Sequence, residues 1–225
     1  MPKYEIFLVF LHGFINKQVT MKKFFIATLM AMPIIASAQD NTWERIEQVQ
    51  EVRTNPDAKY LAEGAVPVVD GAVCWQTTIN APGKTAKQIF DILHKQMEKM
   101  TKEPNQIANS AVVLNDEEKY ELGAVFHEWL VFKNSALSLD RTQLNFLLKV
   151  KCSDGKADVE MTRITYNYDL DRKPVHYTAE EWITDKYSVN KKRTKLYPIS
   201  AKFRRKTIDR KDFIFNKFNT LLNEK

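Results

Sequence analysis

The chain has 225 residues, of which 44% are apolar and 28% charged, and its net charge is +6 at pH 7. These values are typical of a globular protein with its own core, and they exclude an intrinsically disordered chain and a multi-span membrane protein. Six glycines and eight prolines exclude a collagen-like or low-complexity chain, and two cysteines exclude a disulfide scaffold and a four-thiolate zinc site.

Residues 21–38 (MKKFFIATLMAMPIIASA) have the three parts of a secretory signal peptide. The basic start is Lys22-Lys23, the apolar stretch is 24–36, and the small residues Ala-Ser-Ala at 36–38 form a cleavage site. A short membrane anchor is the alternative, but the apolar stretch is shorter than the roughly 20 residues that span a bilayer. The sequence therefore predicts export.

Residues 1–20 are interpreted as an upstream extension from a start codon placed too early, with Met21 as the true start; a longer basic start is the alternative. Cleavage would leave Gln39 rather than a cysteine at the new N-terminus, which disfavours a lipoprotein. Loss of residues 1–38 removes four lysines and one glutamate and lowers the net charge to +3.

Residues 39–69 are interpreted as an N-terminal arm that packs onto a single domain at 70–225. Residues 41–53 (NTWERIEQVQEVR) alternate in polarity, so we expect a strand there, with a short helix as the alternative. A turn is expected at Asn55-Pro56-Asp57, and residues 60–69 lack a regular pattern.

The domain is expected to begin with a strand at 71–79 and a helix from an N-cap at Thr85 to about Lys102. Helical spacing places four apolar side chains on one buried stripe: Ile89, Leu93, Met97 and Met100.

Four strands are then expected at 110–115, 121–132, 143–152 and 156–168. The second of them looks buried on both faces. Turns separate them at 115–118, 133–140 and 153–155, the last being a tight hairpin. In the third strand the predicted core face consists of Leu144, Phe146, Leu148, Val150 and Cys152.

After these strands we expect a helical turn at 180–185, a basic loop at 186–211 and a closing helix at about 209–223. The resulting order is β-α-β-β-β-β-α. Meandering strands with two helices on one face indicate an α+β fold built on an antiparallel sheet.

Several strings resemble a known family of exported bacterial proteins, the domain of unknown function 4468, which has a TBP-like fold. They are residues 59–61 (KYL), 64–67 (GAVP), 69–71 (VDG), 181–185 (EWITD) and 202–209 (KFRRKTID). The resemblance implies a curved antiparallel sheet that grips two helices, and a periplasmic or outer-membrane-associated setting in a Gram-negative, Bacteroides-like bacterium. It implies no activity, because the name TBP-like describes shape, and DNA binding does not transfer with shape.

The basic segment 186–211 is the strongest candidate for a binding site. It contains eleven lysines and arginines and one acid, so its charge is +10. The candidate contact residues are Lys191, Lys192, Arg193, Lys195, Lys202, Arg204, Arg205 and Lys206. An exposed edge of this charge would bind lipid head groups, an acidic glycan or an acidic envelope protein. The alternative is a solvated loop that pairs with acids of its own domain; nucleic acid fits an exported protein poorly.

Cys74 and Cys152 fall in predicted strands, and export permits a disulfide. We expect free buried thiols instead, because the first strand of such a sheet pairs with the last. Cys152 would then lie two strands from Cys74, beyond the reach of a disulfide, whose Cα atoms lie within about 7 Å.

No catalytic or metal-binding pattern is present, so the sequence predicts neither enzyme nor cofactor. His94, His127 and His176 lack metal-ligand spacing, and the acids at 116–121 lack the spacing of a calcium loop. The leading hypothesis is a non-enzymatic binding module of the periplasm or cell envelope. Two alternatives remain. One is a carrier that holds a hydrophobic ligand in the sheet–helix groove, although the abundant aromatic residues are also explained if they fill the core. The other is an exported enzyme with an unrecognised site.

Overall fold

Residues 55–224, which the computed structural model describes, form five helices and eight strands. The signal peptide at 21–38, the extension at 1–20 and the strand expected at 41–53 lie outside these residues. The elements are α1 (Ala58–Leu61), β1 (Val68–Val69), β2 (Ala72–Val73), β3 (Trp75–Asn80), α2 (Ala86–Met100), β4 (Ala111–Asp116), β5 (Glu121–Ser135), β6 (Ser138–Ser153), β7 (Lys156–Tyr168), β8 (Val175–Thr178), α3 (Ala179–Trp182), α4 (Asp185–Ser188) and α5 (Pro198–Asn223).

The main sheet has six antiparallel strands, five of which follow the order β3-β7-β6-β5-β4. The sixth, β8, pairs with the end of β7 on the side where β3 pairs with its beginning. This order confirms the predicted antiparallel α+β fold, and the first long strand pairs with the last as expected. Among the described residues, no helix is long and apolar enough to cross a membrane.

One face of the sheet is covered by α2 and α5 and forms the core. The predicted core face of β6 is confirmed, because Leu144, Phe146, Leu148 and Val150 are all buried. β5 differs from the prediction of burial on both faces, since only one face is fully buried and Trp129 on the other is half-buried. Among residues 55–224, no helix covers the second face of the sheet, which is called the uncovered face below.

Helix α2 begins and packs as its sequence predicts. Thr85 accepts a hydrogen bond from the backbone N–H of Gln88, whose side chain accepts one from Thr85 N–H, so the two residues form a capping box. The predicted stripe is buried against the sheet: Ile89, Leu93, Met97 and Met100.

Helix α5 begins at Pro198 and not near Asp209, so most of the predicted basic loop is helical. Buried positions recur at helical spacing along its length, but two of them are Arg204 and Arg210. Charged residues at core positions interrupt the apolar pattern by which helices are recognised, and this is why the sequence pattern failed here. Proline at the first helical position was the available signal for the true start.

The buried charge of Arg210 is neutralised from the sheet. Its guanidinium donates to both oxygens of Glu128 on β5 at 2.8 Å, and both side chains are completely buried. Glu103, just after α2, lies 3.1 Å from the same guanidinium. This cluster fixes α5 against β5.

The remaining differences lie in short or exposed segments. β5 and β6 continue through the turn predicted at 133–140, leaving only two residues between them, because backbone pairing persists in a hairpin without alternating polarity. The strand expected at 71–79 is interrupted at Cys74, and the helical turn expected at 180–185 is two turns, α3 and α4. Four-residue elements such as α1 and β8 are too short for a periodic signal.

Candidate functional site

The basic segment 186–211 does not form an exposed loop. Only residues 189–197 connect elements, and the remainder belongs to α4 and α5. The predicted site residues therefore lie on several faces of the molecule, and the acids that several of them contact lie elsewhere in the sequence.

Arg193 and Arg204 converge on Asp185, one to each carboxylate oxygen, at 2.8 and 2.7 Å. Arg204 is completely buried and also donates to the backbone carbonyls of Ile183 and Tyr60. Burial raises the pKa of Asp185, but the hydrogen bonds from the two arginines outweigh it and hold the pKa below its ordinary value. These groups hold α4 and α5 together.

Arg205 and Lys202 are also paired with acids of this domain. Arg205 donates to both oxygens of Asp57 at 2.6 and 2.8 Å, which ties the segment before α1 to α5. Lys202 donates to Asp140 at 2.7 Å and to the Tyr168 hydroxyl at 2.8 Å. The alternative interpretation, in which the basic residues pair within their own domain, describes these four residues.

Three predicted contact residues are exposed: Lys191, Lys192 and Lys195 in the connection before α5. Lys206 is half-buried and takes part in a further interaction. The structure thus leaves a small exposed lysine group in place of the predicted basic edge.

Cys74 and Cys152 are free and buried, as predicted. Cys152 lies on β6 and Cys74 directly precedes β3, and β7 separates the two strands. Burial raises the pKa of the Cys152 thiol to about 12, so it is protonated at neutral pH.

The histidines and acids singled out in the sequence contact ordinary protein groups. His94 lies 3.8 Å from Glu98 one turn along α2, while His127 and His176 bond to asparagine side chains. Asp116 accepts from the backbone N–H groups of the following turn. Within residues 55–224 no three histidine, cysteine or acidic side chains are grouped to hold a metal ion.

Aromatic residues fill the space between the sheet and the helices, as the core interpretation expected. Phe126 and Phe146 stack with ring centres 4.9 Å apart, and Phe203 on α5 packs edge-on against Tyr166 at 5.2 Å. All four are at most 2% exposed. Side chains therefore occupy the sheet–helix groove in which a hydrophobic ligand was considered.

The uncovered face of the sheet carries two rows of hydrogen-bonded polar side chains that cross neighbouring strands. In the first row, His127 Nδ1 lies 2.7 Å from the side-chain oxygen of Asn145, whose amide donates to the Thr165 hydroxyl at 3.2 Å. In the second row, the Asn167 amide donates to Gln143 at 3.2 Å. The Asn167 oxygen lies 2.8 Å from His176 Nδ1.

An open cleft of about 360 Å³ lies next to the second row, between the β5–β6 hairpin and the connection from β7 to β8. Trp129 and Arg141 line it together with Tyr168. The Arg141 guanidinium carbon lies 3.7 Å from the centre of the Trp129 ring, so the two groups stack. Trp129 pairs with Gln143 across the strands, which makes the cleft continuous with the polar row.

Arg141 differs from the other partly or fully buried arginines of the described chain, because no carboxylate among residues 55–224 pairs with it. Its Nη1 is buried and has no hydrogen-bond acceptor there. Buried polar atoms are nearly always satisfied, and Nη1 is an exception. Nη1 itself has no contact with solvent, so a ligand oxygen would meet the half-buried Arg141 side chain at the part that faces the cleft.

Leucines form the apolar rim of the cleft: Leu137 is 99%, Leu139 46% and Leu170 38% exposed. Three acids line the cleft: Asp140 is neutralised by Lys202 and Asp169 by Arg172 at 2.9 Å, whereas Asp171 is exposed and has no ion pair within residues 55–224. A cleft with exposed apolar groups and an unpaired cation is suited to a ligand with apolar surface and an acidic or polar oxygen.

The cleft was missed in the sequence because its residues come together only through strand pairing. Trp129 and Arg141 lie on different strands, where Trp129 pairs with Gln143 and Arg141 with Val131, and a one-residue change of register would place them on opposite faces. The available signal was alternation in β5, which puts Trp129 and His127 on the face opposite Phe126.

Comparison with known proteins places the chain in a family. Residues 75–167 match the model of the domain of unknown function (DUF4468) with TBP-like fold. No curated protein matches the chain.

Two solved structures are similar over most of the described region. A DUF4468 family protein from Bacteroides ovatus ATCC 8483 has 41% sequence identity and a TM-score of 0.70, covering 76% of this chain and 98% of that one. A TBP-like protein from Parabacteroides distasonis ATCC 8503 has 19% identity and a TM-score of 0.59, covering 71% and 98%, and shows the fold alone. With the sequence match and the shared architecture, the chain belongs to the DUF4468 family of proteins with a TBP-like fold.

Proposed function

We propose that this protein is a non-enzymatic binding module of the periplasm or cell envelope and that its ligand contacts the cleft around Trp129 and Arg141. The observation that carries the proposal is the stacked, half-buried Arg141 guanidinium without a carboxylate partner among the described residues, in a cleft rimmed by exposed leucines. Elsewhere in the described chain, buried or half-buried arginines have such partners.

Export follows from the leader at 21–38 and is tested separately. Expression in a Gram-negative host, with a tag after Lys225, is expected to give a periplasmic or envelope-bound protein that begins at Gln39. N-terminal sequencing and cell fractionation measure this. A cytoplasmic product that keeps residues 21–38 would contradict the assignment.

The binding surface is tested with benzoate, which offers one carboxylate and one apolar ring, and with neutral benzamide as the matched probe. Backbone amide NMR spectra are expected to shift at Trp129, Leu139 and Arg141 with benzoate, and much less with benzamide. Arg141→Gln should abolish the difference between the probes. Shifts confined to the exposed lysines at 191–195 would overturn the cleft as the contact surface.

A further inference from the structure

We infer that the ligand of this surface is an oligosaccharide that carries carboxylates, such as a chain of uronic acids, lying from the cleft across the uncovered sheet face. The inference rests on the proposed function and names its ligand class. It depends on three features that are contiguous: the Trp129–Arg141 stack, the second polar row beside it and the first row beyond.

Neutral polar side chains offer hydrogen bonds along the uncovered face. The two rows consist of amide, imidazole and hydroxyl side chains, half-buried except for the exposed His176. Each amide oxygen that lies near a histidine can only accept, so Nδ1 of His127 and of His176 carries the proton that is donated. Both Nε2 atoms and the Gln143 amide nitrogen then remain for a ligand, because no hydrogen bond within residues 55–224 engages them.

The hydrogen bonds within each row hold its side chains rigid. Because each side chain of a row is held by its neighbour on the next strand, little rotamer freedom is lost when a ligand binds. The rows span four strands, β5 to β8, or about 14 Å at the usual strand spacing of roughly 4.8 Å. A narrow polar surface of this length suits an extended chain rich in hydroxyl groups.

Arg141 is the cation that would bind a carboxylate of the ligand. Arg141 pairs with a carboxylate more strongly than with a hydroxyl, because a charge-assisted hydrogen bond is the stronger one. Lys202 and Arg172 already neutralise Asp140 and Asp169. Asp171, the third acid of the cleft, has no ion pair within residues 55–224, but it is exposed, so water and salt screen its repulsion of a carboxylate at Arg141. The Trp129 ring supplies the amphipathic surface on which the apolar side of a sugar ring can pack.

The test uses oligomers of galacturonate, mannuronate and glucuronate, with the methyl ester of each as the neutral partner and maltohexaose as an uncharged control. Calorimetry and backbone amide NMR of the purified protein are expected to show that one uronate series binds across Trp129, Gln143 and Asn167. Its ester should bind about tenfold or more weakly.

Arg141→Gln should lower the affinity for the acid form about tenfold or more and leave the affinity for the ester unchanged. Lys149→Gln, at the other end of the same face, is the matched control and should leave the affinities for the acid and for the ester unchanged. Equal affinity of the acid form for wild type and Arg141→Gln overturns the inference, and so does equal binding of acid and ester.

The outcomes separate the two proposals. If benzoate shifts the cleft amides and no uronate binds, the saccharide inference fails and the proposed contact surface stands. If neither benzoate nor any uronate affects the cleft, both fail. Thermal unfolding of Arg141→Gln close to that of wild type excludes loss of fold as the cause.

Discussion

Glu128 and Arg210 show how single residues of this protein combine charge with burial. Each is completely buried, and two hydrogen bonds of 2.8 Å join them. Removal of one partner from a buried pair leaves an uncompensated charge in the core, which typically costs about 3–5 kcal/mol.

Glu128→Gln is therefore expected to lower the free energy of unfolding by about 3 kcal/mol, measured by urea denaturation. Changing Lys149→Gln, whose exposed pair with Glu160 has the similar distance of 2.9 Å, should cost less than about 1 kcal/mol. The double change of Glu128 and Arg210 to methionine should recover part of the loss. Equal effects of the buried and exposed single variants would contradict this account.

Asp185 makes the stability depend on pH. Its pKa is lower in the folded protein than its ordinary value, because hydrogen bonds from Arg193 and Arg204 outweigh the effect of burial. A depressed folded-state pKa means that the stabilisation is complete above the unfolded value of about 3.9 and is lost as the pH falls through the folded value.

Asp185→Asn should thus lower the unfolding free energy at neutral pH and flatten its decline between about pH 5 and pH 2. Denaturant titrations at several pH values measure both. Parallel acid declines in wild type and variant would show that Asp185 carries none of this dependence.

Whether a basic residue is paired could not be predicted from the sequence. Arg204 and Arg205 are adjacent to each other and differ fully in environment, one completely buried and the other half-buried. Their partners lie 19 and 148 positions away. Charge density along the chain therefore predicted a binding site where the fold uses most of the charges internally.

Helices and strands were predicted correctly from the sequence where apolar and polar residues alternate with a regular period. Helix α2 and strands β6 and β7 follow from alternation, capping and the Asp154-Gly155 turn. Helix α5 escaped recognition between Pro198 and Asp209 because Arg204 takes an apolar position. A charged side chain that pairs with an acid elsewhere in the fold can occupy a buried helical position, and the apolar spacing that predicts a helix is then interrupted.

The start of α2 depends on the Thr85–Gln88 capping box. Thr85→Ala removes the side-chain acceptor of a free helical N–H group and should lower the unfolding free energy by about 0.5–2 kcal/mol. Thr220→Ala, at an exposed position inside α5, serves as the control and should change it by less than about 0.5 kcal/mol. A Thr85→Ala effect no larger than that of the control would exclude a stabilising role for the cap.

The helices within residues 55–224 leave one face of the main sheet uncovered. The sequence predicted the antiparallel α+β architecture with its helices on one face, because alternation assigns side chains to faces. It could not show that Trp129 and Arg141 stack, since their contact depends on the register of β5 with β6. The exposed leucines form the rim of a cleft only because the paired strands bring them together around this stack.

The ligand is proposed to contact the cleft and the uncovered face, and not the basic segment 186–211. Native mass spectrometry of protein recovered from envelope extracts tests it most directly, through the bound mass retained by wild type and two variants. Arg141→Gln is expected to lose the bound mass, whereas the combined change of Lys191, Lys192 and Lys195 to glutamate is expected to keep it. Retention by Arg141→Gln together with loss by the lysine variant would contradict it.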